Sequence, residues 1–237
     1  MKGGGTLWRA SIVPPPEAMT SSAPPPGIAA ERWSRLKRYV GLSFGLFICA
    51  IAACVLIAPE GARDNNGISY YDHVGLALVP YVIGVLSIAA IAVLAARDLP
   101  TGAGPWGTLR LALDGIAALL AFIILTPDYV NRWFNVAHIV VSVVLFGGQF
   151  ALIAWLTFAT FRDRTNVGLF VLLSAVGLLA GASEIGWTSY LFLSQVAFQL
   201  VFLIFLVRMV IRLDPGGTLS EAASRDAPAS ATDQVFS

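Results

Sequence analysis

Charge is the first thing this chain has little of. Only 12% of its 237 residues are Asp, Glu, Lys or Arg, about half the share found in soluble domains. With 57% hydrophobic residues the chain cannot cover a globular surface with polar groups, so a soluble domain is excluded. Lysine is nearly missing, with 2 residues against 13 arginines, and the net charge is +1. A nucleic-acid-binding surface needs a clustered positive excess and is excluded too. The bias toward arginine, alanine and glycine reads as a GC-rich bacterial coding sequence.

Cysteine is limited to Cys49 and Cys54 and histidine to His73 and His138. The two cysteines stand five residues apart, which turns them about 140° from each other on a helix and prevents a mutual disulfide. No CxxC, zinc-ligand or c-type haem spacing occurs. Nucleophile-elbow, HExxH, ATP-loop and dinucleotide-turn patterns are missing as well, and no paired aspartates fall inside an apolar run. The sequence therefore indicates neither an enzyme nor a cofactor, and energy coupling would have to come from a gradient or a partner.

What the chain has is apolar length, with a mean hydropathy of +0.76. Six runs, at about 39–58, 74–96, 108–125, 135–161, 167–185 and 190–211, meet the ~20 residues needed to cross a bilayer. They predict an all-α integral membrane protein, a six-transmembrane-helix bundle over 31–212. Residues 1–30 carry Gly3-Gly4-Gly5, Pro14-Pro15-Pro16 and Pro24-Pro25-Pro26 and read as a disordered tail, as do the small polar residues 213–237. The proline triplets read as a flexible spacer, with docking as polyproline II the alternative.

The basic residues set the expected orientation. With the N-terminus inside, ten arginines and lysines flank the spans on the cytoplasmic side: Arg32, Arg35, Lys37, Arg38, Arg97, Arg110, Arg162, Arg164, Arg208 and Arg212. The opposite loops hold only Arg63 and Arg132. Both termini are accordingly expected in the cytoplasm of a bacterium, with the chain in its inner membrane.

Polar residues inside the spans are the candidate site. Asn135, His138, Ser142 and Gln149 share a stripe of span 4 within roughly 60° of His138, and such a stripe must face other helices or water. Span 4 is on this ground expected at the centre of the bundle. His73, His138, Ser142, Gln149, Glu184 and Gln195 are expected to form a small polar pocket that opens outward between spans 2, 4, 5 and 6, with Glu184 beside His138 and Gln149 an isolated amide. Gln195 and Gln199 share a face of span 6 and are expected to bond to other helices. Asp114 in span 3 is expected to pair with Arg110 one turn earlier, which would lower the cost of a carboxylate in the bilayer.

Pro80, with Gly84 on the same face, is expected to kink span 2 or serve as a hinge. Gly177/Gly181 and Gly41/Gly45 carry GxxxG spacing and offer close helix contacts within the chain, in a homo-oligomer or with a membrane partner. The polar loop 59–73 reads as a shield for helix ends, and Asp72 and Asp128 read as isolated acids.

A non-enzymatic structural, accessory or signalling bundle demands least of these residues. The alternative is a small secondary transporter or channel built around Asp114, followed by a membrane enzyme or a b-haem carrier using His73 and His138. The polar first loop Asn66-Gly67-Ile68-Ser69-Tyr70-Tyr71 and a histidine early in span 4 resemble DRAM-type membrane proteins. That resemblance covers one loop and one position and implies no particular activity.

Overall fold

Apolar runs without interior breakers form helices as long as the bilayer is thick, and the computed structural model has six of them. It describes residues 26–99, 101, 105–160 and 162–212. The helices are α1 (Pro26–Ile57), the short α2 (Pro59–Arg63), α3 (Leu78–Asp98), α4 (Pro105–Leu125), α5 (Arg132–Trp155), α6 (Arg164–Glu184) and α7 (Leu191–Arg212). All but α2 are long and apolar enough to span a membrane, and the described residues contain no strand. The expected tails lie outside the described residues, except that Pro26–Ala30 opens α1.

The six long helices alternate in direction, with Arg35 near the start of α1 meeting Asp98 at the end of α3 and Asp163 before α6 meeting Arg212 at the end of α7, so both ends of the described chain lie at one end of the bundle. The opposite end is called distal below. Local chemistry fixes the helix starts. Asn131 caps α5, its side-chain oxygen accepting from Trp133 N at 2.9 Å and Phe134 N at 3.1 Å. Asp163 caps α6 by accepting from Thr165 N at 2.8 Å and Asn166 N at 3.0 Å. The last turn of span 4, Leu156–Thr160, widens to a π-helix.

At the non-distal end, charged side chains tie helix ends together. Arg35 on α1 reaches Asp98 on α3 with two N–H groups, at 3.0 and 3.3 Å. Arg208 and Arg212 on α7 both reach Asp163, and Arg208 Nε donates to the fully buried Asn166 at 2.9 Å. Burial pushes the Asp163 carboxyl up, but the Asn166 backbone bond, Arg212, the Thr165 bond and Arg208 more than offset this and hold it below the usual carboxylate range. A depressed folded value gives stability that is present above the ordinary aspartate pKa of about 4 and is lost as pH falls through the folded value. Asp163→Ala removes a cap and two partly exposed ion pairs and is expected to cost about 1–2 kcal/mol. Melting of the detergent-solubilised protein should show that loss at neutral pH and less of it at pH 3; an equal loss at both would contradict this role.

Two expectations are corrected by the packing. The central helix is α7, not span 4. Nine α7 residues are buried, among them Phe198, Phe202 and Phe205, against five on α5. The reason lies in the side of α5 away from its polar stripe, where Val136, Ile139, Val140, Val143 and Val144 are exposed, an outer face suited to lipid. Pro80 does not kink a span: the chain passes through a 3-10 turn at Gly75–Ala77 and enters α3 at Leu78. Pro80 therefore falls in the first helical turn, where its missing N–H has no intrahelical partner to lose.

Glycines serve helix contacts inside the chain. A Cβ on Gly84 would collide with the Ala50 methyl of α1, and one on Gly177 would come within 3.3 Å of Phe198 on α7. Gly41, Gly45 and Gly181 face open space.

Candidate functional site

Five of the spanning helices, α1, α3, α4, α5 and α7, surround an interhelical crevice of about 160 Å3. The crevice exists because α5 packs chiefly on α4 and only thinly on α7. Along α7 its lining runs from Gln195 to Val210, about 22 Å at helical rise. Its walls are mostly Leu, Ile, Val, Phe and Ala. Polar groups are concentrated on α5 and toward the distal end: His138, Ser142, Gln149, Gln195, Gln199, Tyr81 and Ser69. Ser43 and Tyr39 are the polar lining residues of α1, and among the described residues no Asp, Glu, Lys or Arg lines the crevice.

His138, Gln149, Gln199 and Gln195 are held by specific bonds. His138 is 5% exposed, and its Nδ1 donates to the Thr126 carbonyl at 2.8 Å. A carbonyl can only accept, which puts the neutral ring's proton on Nδ1 and leaves Nε2 as an acceptor. Gln149 and Gln199 exchange two amide hydrogen bonds, each 3.1 Å, across the gap between α5 and α7. This reciprocal pair satisfies the buried Gln149 amide and the half-buried Gln199 amide at once, which matters where no water is at hand. Gln195 Oε1 accepts from Ile68 N at 2.8 Å.

That last bond belongs to a folded cap. The segment 58–77 is not a loose shield: it contains α2, a 3-10 turn at Ile68–Asp72 and a second at Gly75–Ala77. Tyr71 is fully buried among Cys54, Ala58, Ala77 and Tyr81, and its ring meets Phe192 edge-on at 6.1 Å. Burial pushes the Tyr71 phenol up to about 12, so it stays neutral at physiological pH. Gly61 makes room for this, since a Cβ there would come within 2.5 Å of Tyr70. Gly67, at φ 89°, takes a left-handed turn that favours glycine. Ile68 and Ser69 then close over the distal end of the crevice.

Outside the crevice, the cap carries Asp72 and His73. His73 Nδ1 donates to Asp72 Oδ1 at 2.9 Å and lies 3.8 Å from Asp128 Oδ1 on the α4–α5 connection. Burial pushes the Asp72 carboxyl above the usual aspartate range; the His73 hydrogen bond opposes this and Asp128 reinforces it.

Of the residues singled out from the sequence, His138, Ser142, Gln149 and Gln195 meet in the crevice. His73 stands at the cap, and Glu184 is exposed at the end of α6, which contributes nothing to the crevice lining. Asp114 is exposed on the outer side of α4, and no ion pair joins it to Arg110 among the described residues. Sequence reasoning did not pair Gln149 with Gln199, or Asp128 with His73. Equal depth was the available signal in both cases, but depth leaves the pairing of helices undetermined.

Comparison with protein-family profiles, curated proteins and solved structures finds no match.

Proposed function

We propose that this chain is a non-enzymatic, multi-pass protein of the bacterial inner membrane whose bundle holds one membrane amphiphile, a single hydrocarbon chain bearing a small polar head. The observation that carries the reading is the crevice lining, apolar along its length and polar toward the distal end, with no carboxylate, lysine or arginine among the described residues. A hydrocarbon chain gains from the apolar walls by dispersion and from leaving water. A hydroxyl head finds an acceptor in His138 Nε2, and its oxygen finds hydroxyl donors in Ser142, Ser69 and Tyr81. The volume of about 160 Å3 is close to that of an engineered cavity of ~150 Å3 that admits benzene, so the crevice takes the head and first carbons of one narrow chain rather than a bulky solute.

The same lining weighs against ion-coupled transport, which places ionisable groups on the path. Asp114, the acid such a path would use, is on the outer surface. The ten-to-two distribution of basic residues puts the termini in the cytoplasm and the cap outside, so the head of the amphiphile lies toward the outer leaflet.

A long-chain alcohol with a diazirine among the first carbons of its chain, added to native membranes and photolysed, tests this. Label is expected on α5 and α7 residues that face the crevice, such as Leu145 and Leu203. Label confined to the outer faces, at Val140, Val144 or Ile204, would sink the proposal.

A further inference from the structure

The cap brings together three ligand-type side chains that the amphiphile reading leaves unused. Asp72 closes the 3-10 turn, His73 follows it, and Asp128 comes from a connection 55 residues further along. One donor atom from each lies within 4.8 Å of the others. Bonds of about 2.0–2.2 Å to a tetrahedral ion set its ligand atoms roughly 3.3 Å apart. The separations from His73 Nδ1, 2.9 Å to Asp72 and 3.8 Å to Asp128, straddle that value. Asp128, 31% exposed on its loop, is the ligand with freedom to close in.

A second observation concerns Asp72. It is only 5% exposed, and its Oδ2 has no hydrogen-bond partner. A buried carboxylate oxygen without a donor is costly. Here a second carboxylate stands beside it, and neither acid has an ion pair with lysine or arginine among the described residues. A bound cation removes both costs. The rings of Tyr70 and Tyr129 stand 5.3 and 5.4 Å from the His73 ring and restrict how the imidazole can turn.

We propose that Asp72, His73 and Asp128 bind a divalent transition-metal cation of the zinc class on the distal surface, with water at the remaining position. Imidazole with two carboxylates suits such ions, whereas calcium takes six to eight oxygens and has no use for the imidazole. Bound there, the ion fastens the cap to the α4–α5 connection, above the His138 end of the crevice.

The test uses the untagged full-length chain in detergent micelles, stripped with EDTA and titrated calorimetrically with Zn2+ and separately with Ca2+. One zinc per chain is expected, with a rise in melting temperature, and no response to calcium. Asp128→Asn and His73→Gln are each expected to weaken zinc binding at least about tenfold, because losing even an outer-shell partner costs 10–100-fold. The two substitutions fall on separate loops, and zinc-free melting identifies the variant that remains folded and carries the comparison. Failure of the native chain to bind zinc, equal affinity in native and variant chains, or equal binding of calcium would each overturn the assignment.

Discussion

Gly84→Ala is expected to destabilise the protein by about 1–3 kcal/mol, the range for forcing extra methyls into a packed core. The added Cβ meets the Ala50 methyl where α1 and α3 lie against each other. Neither atom is the end of a flexible side chain, so the helices themselves must move apart. Without a hydrophobic drive between helices in lipid, such close seams of small residues hold a bundle together. Removing the obstructing methyl gives the control: Ala50→Gly in the Gly84→Ala background should recover most of the loss, leaving the smaller cost of a glycine inside a helix. Melting of the native, Gly84→Ala, Ala50→Gly and doubly substituted proteins in one detergent measures the coupling. A Gly84→Ala protein as stable as the native one would mean that the seam is open.

Ser142→Trp is expected to reduce amphiphile occupancy at least about tenfold, the effect of only about 1.4 kcal/mol of lost binding energy. Ser142 faces the crevice from α5, one turn along from His138 and beside Leu145 and Phe146. An indole there takes the space of the bound chain, since a cavity of about 160 Å3 holds little more than one aromatic ring. Photolabel in the crevice should disappear while label on the outer faces of α5 and α7 persists. The variant itself should lose little stability, because the indole enters space that no protein atom occupies. Loss of both classes of label would instead report a misfolded protein.

The spans were legible in the sequence because crossing a bilayer requires a length and a composition, and both can be counted. The helix starts differ from the expected ones: spans 4 and 5 are expected from 135 and 167, whereas Asn131 and Asp163 cap helices that begin at Arg132 and Arg164. What could not be read depends on which helix sits beside which. Gln149 looked isolated because its partner, Gln199, lies 50 positions away on a helix whose rotation only packing decides. Asp72 and Asp128 looked isolated for the same reason, until the cap folded back over the α4–α5 connection. The polar stripe of α5 faces inward at His138, Ser142 and Gln149, while Asn135 at its distal end is exposed. Its neighbour is the more deeply buried α7, because one polar stripe does not prevent the rest of a helix from facing lipid. The reading of Pro80 turns on one boundary: the expected span begins at 74, but the α-helix begins only at Leu78, after a 3-10 turn, which makes Pro80 a first-turn proline.

The central claim, that the bundle holds one amphiphile in its interhelical crevice, is tested most directly by the mass of the intact chain released from micelles under native conditions. The account predicts a single lipid-class adduct per chain that survives removal of the detergent and the annular lipids, and its loss in Ser142→Trp. A native chain that flies at its bare mass, or an adduct retained equally by Ser142→Trp, would contradict it.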